Sequence, residues 1–359
     1  MSEQCMRTLI LTNREGKSLK IRLRPYRKGD EEGMIACIRD EYGDSYFRRG
    51  FYDPLYLQKE SGEGRTTFLV AETEERDIAG MMILKQFYPD EDMCEIASQI
   101  FRKRYRGYGL AMPFFEFGME ILLSRTYSAA FCLSVLFHDV TQRLLYRLGL
   151  RATGLVLNVF DTERMSHSYD NGRNKKHSLG IQVRAAEKKD AGILYLPPEH
   201  WDFCQKVYDG LGVDYRLTER TGEDFLEKAD AMSVQLSQIT YKNDVIHSSL
   251  EIRIHHIGAD LEQRIRELHS RYPLRGRQTA GVFLNCNEPR AVQAYYLLKR
   301  YGYFFAGLKP LCSEREYLVM HHPGEVEIYF EDYCVSEEFS RLLGYIKTCY
   351  EGRKRENGL

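Results

Sequence analysis

The sequence predicts an α/β (α+β mixed sheet) fold with helices on both faces of the sheet, built twice in tandem. In the first half the segments run strand, helix, strand, strand, strand, helix, strand, helix, strand. Strand–helix–strand units mixed with a hairpin favour a mixed sheet between helical layers. The same kind of order begins again near residue 188, and a length of 359 residues is typical of two domains.

The period of the apolar residues assigns each segment of the first half. Residues 19–26 alternate as a strand, and a polar loop and a helix follow. An aromatic-rich stretch broken by Pro54 follows, and it predicts a loop or short helices at a place suited to a substrate. The remaining segments are the strands TTFLVAETEE, DIAGMMILKQF and MCEIASQIF, the helix MPFFEFGMEILLSR, the strand SAAFCLSVLF, the helix DVTQRLLYRLG, and the strands RATGLVLNVF and SLGIQVRAA.

A local repeat supports the duplication. Four residues recur at identical spacing after an apolar helix and at the start of a strand: Arg147, Gly149, Gly154 and Leu155 match Arg300, Gly302, Gly307 and Leu308. We therefore expect two domains, residues 1–187 and residues 188–359.

Composition excludes several classes of protein. With 51 basic and 52 acidic residues there is no basic stripe for nucleic acid. The apolar run at residues 9–11 is too short for a signal peptide, and no stretch approaches a membrane span, so we expect a soluble cytoplasmic protein. The nine cysteines form no CxxC pair, and adjacent histidines in strands point to opposite faces, so we expect no metal.

The segment RYRGYGLA, residues 104–111, carries the chemistry. It joins a strand to a long helix, and its glycines allow backbone amides to converge on an anion. The helix N-terminus adds free N–H donors and the positive end of its dipole. Arg104 and Arg106 add positive charge, so the loop suits a pyrophosphate. It lacks the GK[ST] ending of a P-loop. It also follows a fourth strand, whereas a dinucleotide-binding fingerprint follows the first strand.

The stretch EIASQIFRKRYRGYGLA resembles motif A of the GNAT superfamily of N-acetyltransferases, a strand ending in [QR]-x-x-G-x-[GA]. Arg106, Gly109 and Ala111 occupy its defining positions. HDVTQRLLYRLGLRATG resembles the next strand–helix element of that superfamily. The resemblance covers roughly residues 19–186 and, more faintly, residues 188–325. The sequence departs from the pattern at Lys103, where proline is usual, and at Leu145, where many members carry tyrosine.

The resemblance implies an N-acetyltransferase in which an amine attacks acetyl-coenzyme A directly. The strand ending at Phe101 is expected to diverge from its neighbour and to hold the pantetheine arm. An N–H near Ile100 or Phe101 would bind the thioester oxygen. The loop amides would take the pyrophosphate, and His138 would contact the pantetheine or cap a helix. The loop residues concerned are Arg106, Gly107, Tyr108, Gly109, Leu110 and Ala111.

The resemblance implies that Glu95 is the candidate base, because it opens the motif A strand, where several members of the superfamily carry a glutamate that accepts the amine proton. An ammonium must lose a proton before it attacks. Tyr146, next to the usual tyrosine position, is the candidate acid for the departing thiolate. The alternatives are a surface glutamate at a strand edge and a packing or surface tyrosine. Tyr42, Tyr46 and Tyr52 are expected to line the pocket of the acceptor, a small-molecule or peptide amine.

The second half lacks the glycine loop, and by the repeat Asp260 and Glu262 fall on the two glycine positions. Carboxylates there would repel a pyrophosphate. We expect a degenerate copy that covers the acceptor or mediates a homodimer. Two other hypotheses stay open for the whole protein. In the first, it is a non-catalytic acyl-CoA-binding regulatory protein. In the second, it is an unrelated α/β protein whose glycine loop is only a turn.

Overall fold

The structure is a computed structural model that describes all residues except 1–5, 47, 90, 165–170, 187–188, 219–234, 312–314 and 357–359. The chain forms two compact units, one chiefly Met1–Cys132 and the other Leu133–Arg164 with Ser168–Leu359. The boundary between the two units lies inside the strand Ala129–Val135. The domain boundary expected from sequence falls at residues 187–188, which lie outside the described residues, and that division stays a prediction.

The first unit is a mixed sheet in which the strands follow one another in chain order. Neighbours are antiparallel from β1 to β5, and β5 pairs with β6 in parallel. This confirms the predicted mixed α/β architecture. The strands are β1 Arg7–Thr12, β2 Ser18–Pro25, β3 Thr66–Thr73, β4 Ile78–Lys85, β5 Met93–Phe101 and the start of β6 Ala129–Val135; the helices are α1 Glu31–Tyr42, α2 Pro54–Gly62 and α3 Ala111–Leu123.

Helices cover both faces of this sheet because strand residues alternate between the faces. Phe68 and Val70 pack with α1 and α2 in one buried cluster, which also contains Ile83 of β4. Leu69 of β3 and Met82 of β4, which alternate with these cluster residues, face α3 instead. A Cβ on Gly118 of α3 would come within 2.5 Å of Met82 Sδ. Glycine at that position therefore lets α3 lie close against the sheet.

The second unit holds a sheet with the order β8, β7, β14, β15, β13, β12, β11, and a separate pair, β9 and β10. Its strands are β7 Arg151–Asp161, β8 Lys176–Ala185, β9 Asp190–Leu194, β10 Asp214–Leu217, β11 Gln238–Asp244, β12 Ser249–His256, β13 Thr279–Asn285, β14 Phe304–Lys309 and β15 Tyr317–His322. Its helices are α4 Val140–Arg147, α5 Trp201–Leu211, α6 Leu261–Arg271, α7 Ala291–Arg300 and α8 Glu337–Glu356. No helix in the described part of the chain is long and apolar enough to cross a membrane.

The sequence repeat is also a repeat of backbone geometry. Helices α4 and α7 both end at a glycine with φ of 86°, Gly149 and Gly302. At each end the glycine N–H bonds three residues back and the next N–H bonds five residues back, as in Leu150 N–H to Leu145 O at 3.1 Å and Tyr303 N–H to Leu298 O at 3.1 Å. This is the Schellman arrangement, which needs a left-handed residue after the helix.

The other repeated glycines, Gly154 and Gly307, face each other as the Cα pair that joins β7 to β14. A Cβ on Gly307 would lie 2.4 Å from Gly154 Cα, and one on Gly154 would lie 2.7 Å from Leu308 O. Two backbones therefore touch at the point where equivalent strands of the repeat meet. Only glycine fits at both positions.

The sequence did not predict the short strand β10, nor two other elements. The first is β1, which pairs antiparallel with β2 around a turn at residues 13–17. Its residues alternate between partly exposed and exposed, as in an edge strand, so they give little apolar signal. The second is α8, whose 20 residues lie in a stretch of sequence to which no element was assigned.

Substitution of Gly307 by alanine should lower the free energy of unfolding of the second unit by about 2–4 kcal/mol. The added Cβ meets backbone atoms that have no room to move, and alanine disfavours the positive φ of this position. Gly281→Ala in β13 is the matched control, since nothing lies within 4 Å of the added Cβ. Urea unfolding measures both variants. Equal midpoints for the two would contradict the close contact.

Candidate active site

The strands β5 and β6 diverge in the middle of β5. Their parallel ladder holds three Cα pairs, Met93↔Ala129, Cys94↔Ala130 and Glu95↔Phe131. β5 itself continues for six residues beyond Glu95, still paired to β4 on its other side. The edge of β5 from Ile96 to Phe101 is therefore not paired with β6, as the resemblance implied.

A β-bulge lies at the start of this free edge. β5 pairs Ala97 with Ile83 and Ile100 with Met81, so Ser98 and Gln99 together oppose the single residue Met82. Ser98 has a φ of 51°, a left-handed conformation that is uncommon for a residue other than glycine. The bulge bends β5 and turns its edge, as bulges near functional sites do. The sequence pattern gave no sign of it.

The register beyond the bulge orients the backbone of Phe101. Arg102 N–H donates to Ala79 O at 2.9 Å, so Arg102 and Ala79 form a hydrogen-bonded pair. Such pairs alternate along an antiparallel ladder. Ile100 is then bonded to Met81, whereas the N–H and C=O of Phe101 point away from β4, toward the free edge. Of the two amides suggested from sequence, the one that faces the gap is therefore that of Phe101.

The loop after β5 presents a row of backbone donors. Gly107 and Gly109 have φ of 85° and 75°, and the space beside each Cα is open. Leu110 caps α3 without a side-chain hydrogen bond. Within the described residues, the amides of residues 107–112 donate to no protein acceptor. The amide of Arg106 is already used, since it donates to Lys103 O at 3.1 Å.

The arginines of the loop are paired with carboxylates of the protein. Asp77 accepts hydrogen bonds from Arg104, from Arg102 at 2.8 Å and from the Tyr105 hydroxyl at 2.6 Å. Arg106 forms an ion pair with Glu41 at the end of α1. The charge expected for a pyrophosphate is therefore partly neutralised within the protein. The free amides are therefore the feature of this loop that best suits an anion.

Partial burial raises the pKa of Asp77, but the hydrogen bonds from Tyr105 and Arg104 and the charge of Arg102 outweigh it and lower the pKa overall. Asp77 therefore stays ionised in the folded protein and holds the loop to the β3–β4 turn.

Glu95 lies where the strands part, and only 7% of it is exposed. It is opposite Lys85 of β4, whose ammonium is 2.6 Å from Glu60 of α2. Alternation along β5 places Glu95 on the same face as Ala97, which belongs to the buried cluster with α1 and α2. The candidate base is thus a buried carboxylate on the α1–α2 face, not the surface glutamate of the alternative reading.

The structure brings the three predicted tyrosines together on that face. The rings of Tyr42 and Tyr46 lie 4.8 Å apart, and Tyr46 N–H donates to the Tyr52 hydroxyl at 3.0 Å. Tyr52 in turn donates to Gly43 O at 2.7 Å. The rings thus fix the segment between α1 and α2. Their contact with an acceptor stays a prediction.

Tyr146 and His138 belong to the second unit. Tyr146 is 47% exposed, and the Arg151 guanidinium lies 4.5 Å above its ring, whereas Leu145 beside it is fully buried. His138 packs edge-to-face on Phe137, and burial lowers the pKa of its imidazole. The roles of both residues stay predictions.

The equivalent strands of the second unit do not part. β12 and β13 hold six parallel pairs, from Ser249↔Thr279 to Ile254↔Leu284. Past the last pair, the Asn285 side chain donates to His255 O at 2.9 Å. The edge that is free in β5 is therefore closed in β12.

The loop between β12 and α6 is also occupied by the protein itself. Glu288 accepts the Ile257 N–H at 3.4 Å and lies 2.8 Å from His256 Nδ1. Gly258 N–H donates to the Ser237 hydroxyl at 3.0 Å. These contacts fill positions where an anion would bind.

The sequence repeat misplaced this loop by a few residues. α3 begins at Ala111 and α6 at Leu261, so Ala259 and Ile257 stand where Gly109 and Gly107 do. Asp260 instead precedes the helix and accepts the Ser237 N–H at 2.7 Å.

No protein-family model and no curated protein matches the sequence. The structure is similar to solved structures of N-acetyltransferases. One is a ribosomal-protein-S5-alanine acetyltransferase from Vibrio fischeri, with 10% identity over 46% of this chain and 93% of that one and a TM-score of 0.38. Another is an N-acetyltransferase from Staphylococcus aureus Mu50, with 12% identity over 46% of this chain and 98% of that one and a TM-score of 0.38.

A third is a mutant form of the spermidine/spermine N-acetyltransferase from Vibrio cholerae, with 13% identity over 46% of this chain and 93% of that one and a TM-score of 0.38.

Replacing Asp77 by asparagine should lower the free energy of unfolding at pH 7 by about 1–2 kcal/mol, because charged hydrogen bonds to Arg102 and Arg104 are lost. The folded pKa of Asp77 is lowered, so its contribution is present above its unfolded pKa near 3.9 and disappears as the pH falls through the folded value. Unfolding measured from pH 7 downward should show the gap in unfolding free energy between the two proteins narrowing once the pH falls below about 4. The exposed Asp92→Asn is the control; a gap as wide at the lowest pH as at pH 7 would contradict the assignment.

Proposed function

We propose that this protein is an N-acyltransferase that moves an acetyl group from acetyl-coenzyme A to an amine, with its site in the first unit. One observation carries the proposal. The free edge of β5 is followed, after a short turn at residues 102–106, by a loop of unpaired amides at the head of α3. An extended chain ending in a pyrophosphate matches this combination of a strand edge followed by an anion site.

The amides of residues 107–112 would hold the pyrophosphate. Successive N–H groups at a helix N-terminus bind anions through hydrogen bonds and the helix dipole. Gly107 and Gly109 leave open space beside the backbone, so an oxygen can approach closely. Tyr108, Leu110 and Ala111 would contribute through their backbones.

The free edge of β5 would hold the pantetheine arm. That arm is an extended chain with two amide groups, and a strand edge binds such chains by backbone pairing. The outward-facing N–H of Phe101 would pair with it beside the loop, and its C=O, which accepts a hydrogen bond from Arg106 at 3.3 Å, has a second lone pair for the same purpose. The reactive thioester lies at the far end of the arm, so it would lie toward Ser98 and Glu95.

Glu95 would take the proton of the attacking amine. It is buried on the face toward α1 and α2, where the acceptor can enter beside the aromatic residues. A positioned carboxylate of this kind contributes typically 10²–10⁴-fold to a rate. The backbone at the bulge would polarise the thioester carbonyl, as oxyanion-hole donors do.

Gly109→Asp should weaken coenzyme A binding by at least about 100-fold, because a carboxylate placed among the amides repels the pyrophosphate. Gly109→Asn is the matched uncharged control, since both residues tolerate a positive φ. Ala259→Asp places the same charge in the exposed counterpart loop of the second unit and should leave binding unchanged.

Isothermal titration of the full chain with coenzyme A measures the three variants, and the wild type should show one site per chain. Two sites per chain, or an equal loss in Ala259→Asp, would contradict the assignment.

Glu95→Gln should lower kcat by about 10²–10⁴-fold and leave the Kd of coenzyme A intact, since the carboxylate acts on the amine and not on the donor. Thiol release from acetyl-coenzyme A with a polyamine, an amino-acid amide and a lysine peptide measures turnover. Glu116→Gln on the surface of α3 is the control. Wild-type turnover in Glu95→Gln would remove Glu95 from this role.

The exposed position of Tyr146 favours a second candidate, a non-catalytic acyl-CoA-binding regulatory protein. The wild-type chain separates the two candidates. Thiol release above background supports the enzyme, whereas coenzyme A binding without release supports the regulatory protein.

A further inference from the structure

The bulge of β5 carries a hydroxyl pair that the proposed chemistry has not yet used. Ser98 Oγ and Tyr46 Oη lie 2.6 Å apart, one on β5 and the other between α1 and α2. Tyr46 is 3% exposed, whereas Ser98 and Gln99 are partly exposed in an otherwise buried stretch of β5. The pair therefore connects a buried phenol to the open edge of the strand.

The identity of residue 98 indicates that its hydroxyl matters. A φ of 51° favours glycine, and a serine in this conformation is strained. Such strain is tolerated where the surrounding structure uses the side chain. Among the residues that the structure describes, the Ser98 hydroxyl bonds to Tyr46 alone, which leaves it further hydrogen-bonding capacity toward the edge of β5.

Tyr46 is fixed on the face of the sheet toward which Glu95 points, because it belongs to the buried cluster that contains Ala97, two residues from Glu95. Its backbone is bonded to Tyr52, and its ring packs 6.2 Å from that of Phe51. Burial raises the pKa of Tyr46, the charge of Arg48 and the bond to Ser98 act against it, and the charge of Glu95 adds to it. A phenol in this environment stays protonated, so it passes protons on without becoming charged.

We propose that Ser98 and Tyr46 form a relay that carries the proton of the amine from Glu95 to the departing thiolate. This rests on the proposed function. Ser98 is the catalytic group at the sulfur, and Tyr46 acts through it. The relay supplies the acid for which the sequence offered Tyr146.

The step balances as follows. The amine nitrogen attacks the acetyl carbon, the C–S bond breaks, and its electron pair goes to sulfur. Glu95 takes the proton lost by nitrogen. Sulfur takes the Ser98 proton, Ser98 takes the Tyr46 proton, and Tyr46 takes the proton from Glu95. The products are the N-acetylated amine and neutral coenzyme A thiol, with each protein group restored.

Ser98→Gly tests the relay without straining the fold, because glycine adopts the positive φ freely. We expect its melting temperature to stay within a few degrees of the wild type, its Kd for coenzyme A to be unchanged, and its kcat to fall about 10–100-fold. Tyr46→Phe should lower kcat similarly. Tyr215→Phe and Ser124→Ala remove other hydroxyls and should leave kcat unchanged.

The double variant distinguishes a relay from two structural effects. If both residues lie on one proton path, the first substitution already blocks that path, and the second has no further effect on kcat. The kcat of the double variant Ser98→Gly, Tyr46→Phe should therefore be no lower than that of the slower single variant. The solvent deuterium isotope effect on kcat should fall in each. Turnover is measured with the amine of the three-member panel that the wild type uses fastest.

Wild-type kcat in Ser98→Gly, or losses that multiply in the double variant, would overturn the relay while leaving the proposed function in place. A wild-type chain that neither binds coenzyme A nor releases thiol would instead overturn the proposed function, and the relay with it.

Discussion

Hydrogen bonding between β5 and β6 stops at Glu95, and the candidate site depends on that break. A paired strand would satisfy the backbone of residues 96–101 and leave no edge for a ligand. The bulge at Ser98 bends the strand near the same place, and the loop of free amides follows the edge after a short turn at residues 102–106. A candidate base, a free strand edge and a candidate anion site thus follow one another along a single stretch of chain.

The second unit shows what the same arrangement becomes when the break is absent. There β12 stays paired with β13, Asn285 extends the pairing, and Glu288 and Ser237 accept the loop N–H groups. The protein's own side chains occupy the positions an anion would take. The repeated helix ends at Gly149 and Gly302, in contrast, are preserved in detail, since they serve the scaffold.

The sequence predicted the parts of the site that depend on local chemistry. Gly107 and Gly109 indicated a loop with positive φ, and the helix behind it followed from its apolar period. The bulge at Ser98 was not predictable, because serine is not typical of a left-handed residue and its partner Tyr46 is distant in sequence. Pairing of Arg104 and Arg106 with Asp77 and Glu41 likewise depends on tertiary contacts, so the charge of the loop was overestimated.

Hydrogen–deuterium exchange of the full chain, with and without coenzyme A, tests the central claim most directly, because it reads the backbone amides themselves. The account predicts that coenzyme A slows exchange at residues 96–101 and 107–112 and leaves residues 256–260 unchanged. Protection of the second-unit loop, or no protection in the first unit at saturating coenzyme A, would contradict it.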